Sequence, residues 1–229
     1  VKKQGYVPSI MDDYCPDNGA CNHFPFEEHK VCSKLLCEYG HDIKSLYHSN
    51  PNPGCIHGRQ WAETHTDLIR SMWGVYDHPT TPIFHVDKSH GGHSPNFQNQ
   101  RSQDHVYSKL ILDGYLESLT AKSGFLHNTV VIIAADHGFH YSAQEVYNNF
   151  IGGEAQHRNP VLKVIVPNAL LQKLNFNHEA IRVNKERLVT HLDLHHTLMD
   201  LASPTTSIKP LSFNFLVQEV PASRTCRDA

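Results

Sequence analysis

Hydrophobic positions fall along the chain in short runs whose spacing changes from run to run, as alternating strands and helices require. A brief apolar run from Tyr6 to Met11 leads into residues 12 to 58, which show neither period and are punctuated by Asp17-Asn18-Gly19 and Asn50-Pro51-Asn52-Pro53-Gly54. That stretch reads as a long loop region, which a compact domain tolerates when it is cross-linked or functional. From Arg59 to Val75 the apolar residues Trp61, Leu68, Ile69, Met72 and Trp73 recur near helical spacing, and Pro79 and Pro82 end the element. Pro82-Ile83-Phe84-His85-Val86 predicts a buried strand that runs straight into the polar segment Asp87-Lys88-Ser89-His90-Gly91-Gly92-His93. Gln103 to Lys122 predicts a helix with Ile111, Tyr115 and Leu119 on one face, closed by Gly124.

The strongest local signal is Thr129-Val130-Val131-Ile132-Ile133-Ala134-Ala135, a continuous β-branched run that predicts a central parallel strand buried on both faces. Val161 to Val166 predicts a further strand between Pro160 and Pro167, and Leu194, Leu198 and Leu201 mark a helix starting near Asp193. Strands alternating with helices predict one α/β domain over 1–229, with a mostly parallel sheet and helices on both faces. A cysteine-rich irregular region over 12–58 interrupts it.

Composition narrows the partners. The formal net charge is −3 with 39% hydrophobic residues, so there is no basic excess for nucleic acid and no acidic tail. Histidine, the commonest metal ligand, occurs 19 times against three methionines. The chain opens Val1-Lys2-Lys3, with no initiator methionine, leader or bilayer-length apolar run, so residue 1 is expected to be an internal start without membrane contact. Cys15, Cys21, Cys32, Cys37 and Cys55 cluster in the loop-rich stretch, a pattern expected of disulfides and a secreted or extracellular-facing protein. A zinc module is the alternative, since His23, His29 and His41 lie among the same cysteines, though no Cys-x-x-Cys pair is present.

Functional groups in open α/β sheets gather beyond the carboxyl ends of strands. Two strands here deliver a carboxylate and an imidazole together: Asp87 with His90, where His93 competes for the same role, and Asp136 with His137, followed by Gly138. Mixed oxygen and nitrogen donors suit zinc, with manganese, magnesium or calcium as the carboxylate share rises. Two such clusters side by side would form a two-metal site. Ahead of the strand at Val161, Arg158 offers a planar fork for an oxyanion, and His157 a metal ligand or a proton for a leaving group. A surface pair of Glu154 with Arg158 is the plain alternative.

Ala135-Asp136-His137-Gly138 after an apolar strand resembles the metal-binding strand of the alkaline phosphatase superfamily. Further features resemble its sulfatase-like ectoprotein branch, long catalogued as a domain of unknown function: Gly5-Tyr6-Val7 followed by Asp12, Asp13 and Cys15; Cys55 with Gly58 before a helix; Ser89-His90 after a strand; the spacing of Glu154, Arg158 and Pro160; Asp193-Leu194-His195 ahead of Thr197-Leu198; and Arg224-Thr225-Cys226 near the end. The resemblance runs through nearly the whole chain, although the Asp-His-Gly strand alone is specific. It implies an alkaline phosphatase-like fold and a phosphate or sulfate ester of a small molecule, glycan or lipid as substrate. It also implies one or two metals held by Asp87, His90, Asp136 and His137. In such enzymes a hydroxyl or hydroxyalkyl group attacks phosphorus or sulfur and water then releases the covalent ester. That attacking group sits near the start of the domain and has no counterpart here, so the chain is expected to represent the C-terminal part, to bind metal weakly and to hydrolyse little by itself. A secreted binding or scaffold protein that keeps the fold without the chemistry is the competing expectation.

Overall fold

The computed structural model describes residues 5–12, 30–32, 55–56, 58–76, 82–88, 97–120, 126–138, 158–202 and 212–228. These fall into two compact units, one formed by Tyr6–His127 and Val131–Ile165, the other by Val1–Gly5, Asn128–Val130 and Val166–Ala229.

The first unit is organised by a parallel sheet. Strand β1 (Val7–Asp12) lies between β2 (Lys30–Cys32) and β5 (Ile83–Lys88), parallel to both. Val7 pairs with Ile83 and Asp12 with Lys88, while Asp12 also pairs with Cys32 on the other side. The carboxyl ends of the three strands therefore share one edge. Strand β5 extends two residues beyond the predicted run and takes Asp87 and Lys88 into the ladder. Lys30–Cys32 departs from the irregular reading of 12–58, because pairing with β1 satisfies its backbone without a hydrophobic alternation of its own. Strands β3 (Cys55–Ile56) and β4 (Arg59–Gln60) form a short hairpin that turns at Gly58, whose φ of 77° an L side chain rarely adopts.

Two helices carry the core of this unit. In α1 (Trp61–Tyr76) the buried positions Ala62, Thr66 and Ile69 fall on one stripe, and Arg59 braces the first turns through Asp67 at 2.6 Å. Helix α2 (Phe97–Thr120) begins at Phe97 rather than Gln103. It buries Val106 and Leu110, one position off the predicted stripe, and leaves Leu112 and Leu116 exposed. Ile69, Leu110 and Leu126 meet in a core lined by Trp73, Tyr107, Ile111 and Val131. On the rim, Asp113 accepts hydrogen bonds from Lys109 and Arg70, each at 2.8 Å, and these donors hold its carboxyl below the usual range. The contact joins α2 to α1.

Strand β6 (Val131–Ala134) pairs with β7 (Leu162–Ile165), and here the structure differs from the expected central parallel strand. The pairing is antiparallel, Val131 opposite Ile165 and Ala134 opposite Leu162. Among the described residues β7 is its one ladder partner, and Ile133 and Ala134 are exposed.

The second unit contains α3 (Asn168–Lys173), α4 (His178–Asn184) and α5 (His191–Ala202), the first two absent from the periodicity because they are too short to show it. Helix α4 is capped by Asn177, whose Oδ1 accepts from the backbone N–H groups of Glu179 and Ala180. Helix α5 starts with a Thr-x-x-Asp cap in which Asp193 accepts from both the N–H and the hydroxyl of Thr190, at 2.7 and 2.9 Å.

Residues 212–228 run against these helices without strand or helix of their own, so buried side chains must satisfy their backbone. Asn184 donates to the carbonyls of Phe215 and Gln218 and accepts from Val220 N–H, at 2.8–2.9 Å. Thr197 accepts from Phe215 N–H, and Leu216 and Val220 are fully buried beside these contacts. Replacing Asn184 with alanine orphans three backbone groups and is expected to cost roughly 3 kcal/mol, read from the urea midpoint. A shift under a few tenths of a kcal/mol would mean that the segment is held elsewhere.

Candidate metal centre

The candidate site is built at strand ends of the first unit. Strand β6 is apolar throughout, and the chain leaves it at Ala135, whose N–H still donates to Val161 O at 3.0 Å. That bond closes the ladder and sets Asp136 and His137 just past its end. Asp136 Oδ1 accepts from the N–H of His137 at 2.9 Å, fixing the carboxylate against its own turn. His137 Nδ1 lies 2.8 Å from the Gly138 carbonyl oxygen. A carbonyl only accepts, so Nδ1 carries the hydrogen, and the lone pair a cation would take is that of Nε2. Nε2 is 3.5 Å from Asp136 Oδ2, and both side chains are exposed.

This pair fits a cation. Donors bound tetrahedrally at about 2.0–2.2 Å lie roughly 3.3–3.6 Å apart, which brackets the separation found between the imidazole and the carboxylate. The contact to Gly138 fits as well, since a ligating imidazole characteristically donates its other ring N–H to a carbonyl or carboxylate. Among the described residues no group of three or more histidine, cysteine, aspartate and glutamate side chains gathers into a complete ligand set.

Arg158 is exposed and sits three residues before Val161. Because β7 runs antiparallel to β6, its beginning lies beside the end of β6, so Arg158 and the Asp136-His137 pair occupy the same end of the ribbon. Asp87 is the penultimate residue of β5, opposite Met11, at the carboxyl edge of the parallel sheet. His90, its alternative His93, and His157 lie outside the described residues.

Two features of that edge went unnoticed in the sequence. Asp12, Cys32 and Lys88 are register partners in its last row. His85, two residues before Asp87, pairs with Ser9 across the ladder, its Nδ1 lying 3.2 Å from Ser9 Oγ, and the Trp73 ring meets it edge-on at 5.7 Å. Period-two counting back from Asp87 would have found His85, whereas Asp12 needed the strand pairing. Cys226 carries a free, exposed thiol, and no helix among the described residues is long and apolar enough to cross a membrane.

Searches of curated proteins and of solved structures return no match. Residues 35–229 match the family described as Protein of unknown function (DUF229), and as this is most of the chain, the protein belongs to that family.

Proposed function

We propose that the protein acts in metal-dependent hydrolysis of phosphate or sulfate esters, as the metal-holding part of a sulfatase-like domain of the alkaline phosphatase type. The observation that carries this reading is the His137 Nε2 to Asp136 Oδ2 separation of 3.5 Å, with the tautomer fixed by Gly138. Membership of the family over 35–229 supports it, since that region contains all the residues assigned below. The reading includes a mostly parallel α/β sheet covered by helices on both faces. It also includes disulfides within 12–58 and a secreted or extracellular-facing location. The substrate is an ester of a small molecule, glycan or lipid.

When bound, a zinc-class cation supplies Lewis acidity and a water acidic enough to ionise near neutral pH. Asp136 and His137 hold one such ion, and Asp87 with His90 a second. Manganese, magnesium and calcium are the alternatives. Arg158 orients the ester by a bidentate contact to its anionic oxygens, which matches tetrahedral phosphate and sulfate alike. His157 gives a proton to the leaving oxygen. The attacking group is assigned to none of these residues, so turnover of p-nitrophenyl phosphate or sulfate by the chain alone is expected to be slow.

Anion binding tests the reading without requiring turnover. The zinc-loaded chain is expected to bind orthophosphate or sulfate in calorimetric titration, to lose that binding in EDTA, and to weaken about tenfold on Arg158→Ala, the 1.4 kcal/mol scale of one charged hydrogen-bonded contact. Equal binding with and without metal would overturn it.

A further inference from the structure

We propose that His196 and Asp200 form a cation site of their own, a His-x-x-x-Asp chelate on α5 that holds a zinc-class ion and fastens residues 212–214 to that helix. It uses none of the residues assigned to hydrolysis and serves the stability of the second unit, so it goes beyond the functional reading and does not depend on it.

Residues four apart on a helix stand one turn above another on a common face. In α5 this places His196 Nε2 3.4 Å from Asp200 Oδ2. Donors bound tetrahedrally at about 2.0–2.2 Å lie roughly 3.3–3.6 Å apart, so the pair is already spaced for a shared ion. Nδ1 is engaged elsewhere, 3.0 Å from the Ser212 carbonyl oxygen and 3.2 Å from the Ser212 hydroxyl. A carbonyl only accepts, so Nδ1 carries the hydrogen, and the lone pair a cation would take is that of Nε2. A ligating imidazole characteristically donates its other ring N–H in this way.

Burial adds a second, independent observation. The His196 side chain is 7% exposed, and its Nε2 is a buried atom with no hydrogen-bond partner. Folded chains rarely leave a buried polar atom unpaired, and a bound ion is one of the few groups that accounts for it. The carboxylate facing Nε2 is held in turn, because Asp200 Oδ2 accepts from Asn214 Nδ2 at 3.0 Å. Asn214 is itself fixed, its Oδ1 accepting from the N–H of Leu216 at 3.1 Å. An ion between the two donors would therefore act on residues 212–214 twice, on Ser212 through the imidazole and on Asn214 through the carboxylate. Asp200 is 23% exposed, so its side of the pair meets solvent, where waters can complete the coordination.

Zinc equilibrium dialysis on the whole chain, read as equivalents bound, separates the outcomes. His196→Gln keeps an amide that can donate to Ser212, and Asp200→Asn keeps an oxygen for Asn214. Each is expected to bind one equivalent fewer than wild type and to lose the rise in urea midpoint that zinc confers on the second unit, whereas His137→Ala keeps both. If His196→Gln and Asp200→Asn bind as many equivalents as wild type, this inference fails while the assignment of Asp136 and His137 stands. If zinc is lost in these two variants and unchanged in His137→Ala, the inference stands and the functional reading fails. A wild-type chain that binds no zinc overturns both. Should the two variants unfold, nitrogen-15 shifts of the wild-type His196 ring, traced through its own side-chain carbons, give the answer. Zinc is expected to move the Nε2 resonance, and an unmoved resonance leaves a plain histidine–aspartate pair and overturns the proposal.

Discussion

Arg224→Ala is expected to cost about 3–5 kcal/mol of unfolding free energy in the unit that contains α5, the range for removing one partner of a buried ion pair. Arg224 Nη1 donates to Asp193 Oδ2 at 2.6 Å, with side chains 2% and 0% exposed. Asp193 also accepts from Phe213 N–H at 2.8 Å and from the N–H and hydroxyl of Thr190. One carboxylate thus joins the start of α5 to both ends of the segment 212–228. Deleting Arg224 leaves the charge buried with neutral donors alone, and it also removes a guanidinium packed over the Phe213 ring. A loss under 1 kcal/mol in urea unfolding would show that the carboxylate needs only its neutral donors.

The same carboxylate sets a pH dependence. Burial pushes the Asp193 carboxyl up, but the hydrogen bonds from Arg224, Phe213 and Thr190 together outweigh it and hold the group below the ordinary aspartate range. The unfolded chain then binds the proton more readily than the folded one. This contribution is complete above the unfolded value of about 3.9 and is lost as pH falls through the lower folded value. Asp193→Asn is expected to flatten that acid limb, and an unchanged limb would locate it elsewhere.

The second large effect falls on the metal. His137→Ala and Asp136→Ala are each expected to weaken zinc binding at least about a hundredfold, near 2.7 kcal/mol, because each deletes one of two donors already set at a chelating separation. His137→Ala also frees the Gly138 carbonyl from its ring donor. Since both side chains are exposed, neither variant is expected to shift thermal unfolding of the metal-free chain by more than a degree or two. Zinc bound equally tightly by either variant would move the site away from β6.

What the sequence made legible follows from where each signal resides. Strand β6, helix α1 and the Asp136-His137 pair were readable because a β-branched run, a helical stripe and a dipeptide are local signals. Antiparallel pairing of β6 with β7 was not, since Val131 opposite Ile165 is a non-local choice that the same apolar runs allow in either sense. Lys30–Cys32 is a strand only because β1 lies beside it. Asp193 shows the same limit from the other side. The helix expected to start near Asp193 is present, but the role of that carboxylate depends on Arg224, distant in sequence. His85 was hidden within a run read only for its hydrophobicity.

The most direct test is X-ray absorption at the zinc edge of the loaded chain, compared with His137→Ala. An imidazole nitrogen shell at about 2.0–2.1 Å with carboxylate oxygen near the same distance is expected, diminished in the variant. A spectrum dominated by sulfur at about 2.3 Å, unchanged by His137→Ala, would instead place the metal among the cysteines and contradict a hydrolytic centre at Asp136 and His137.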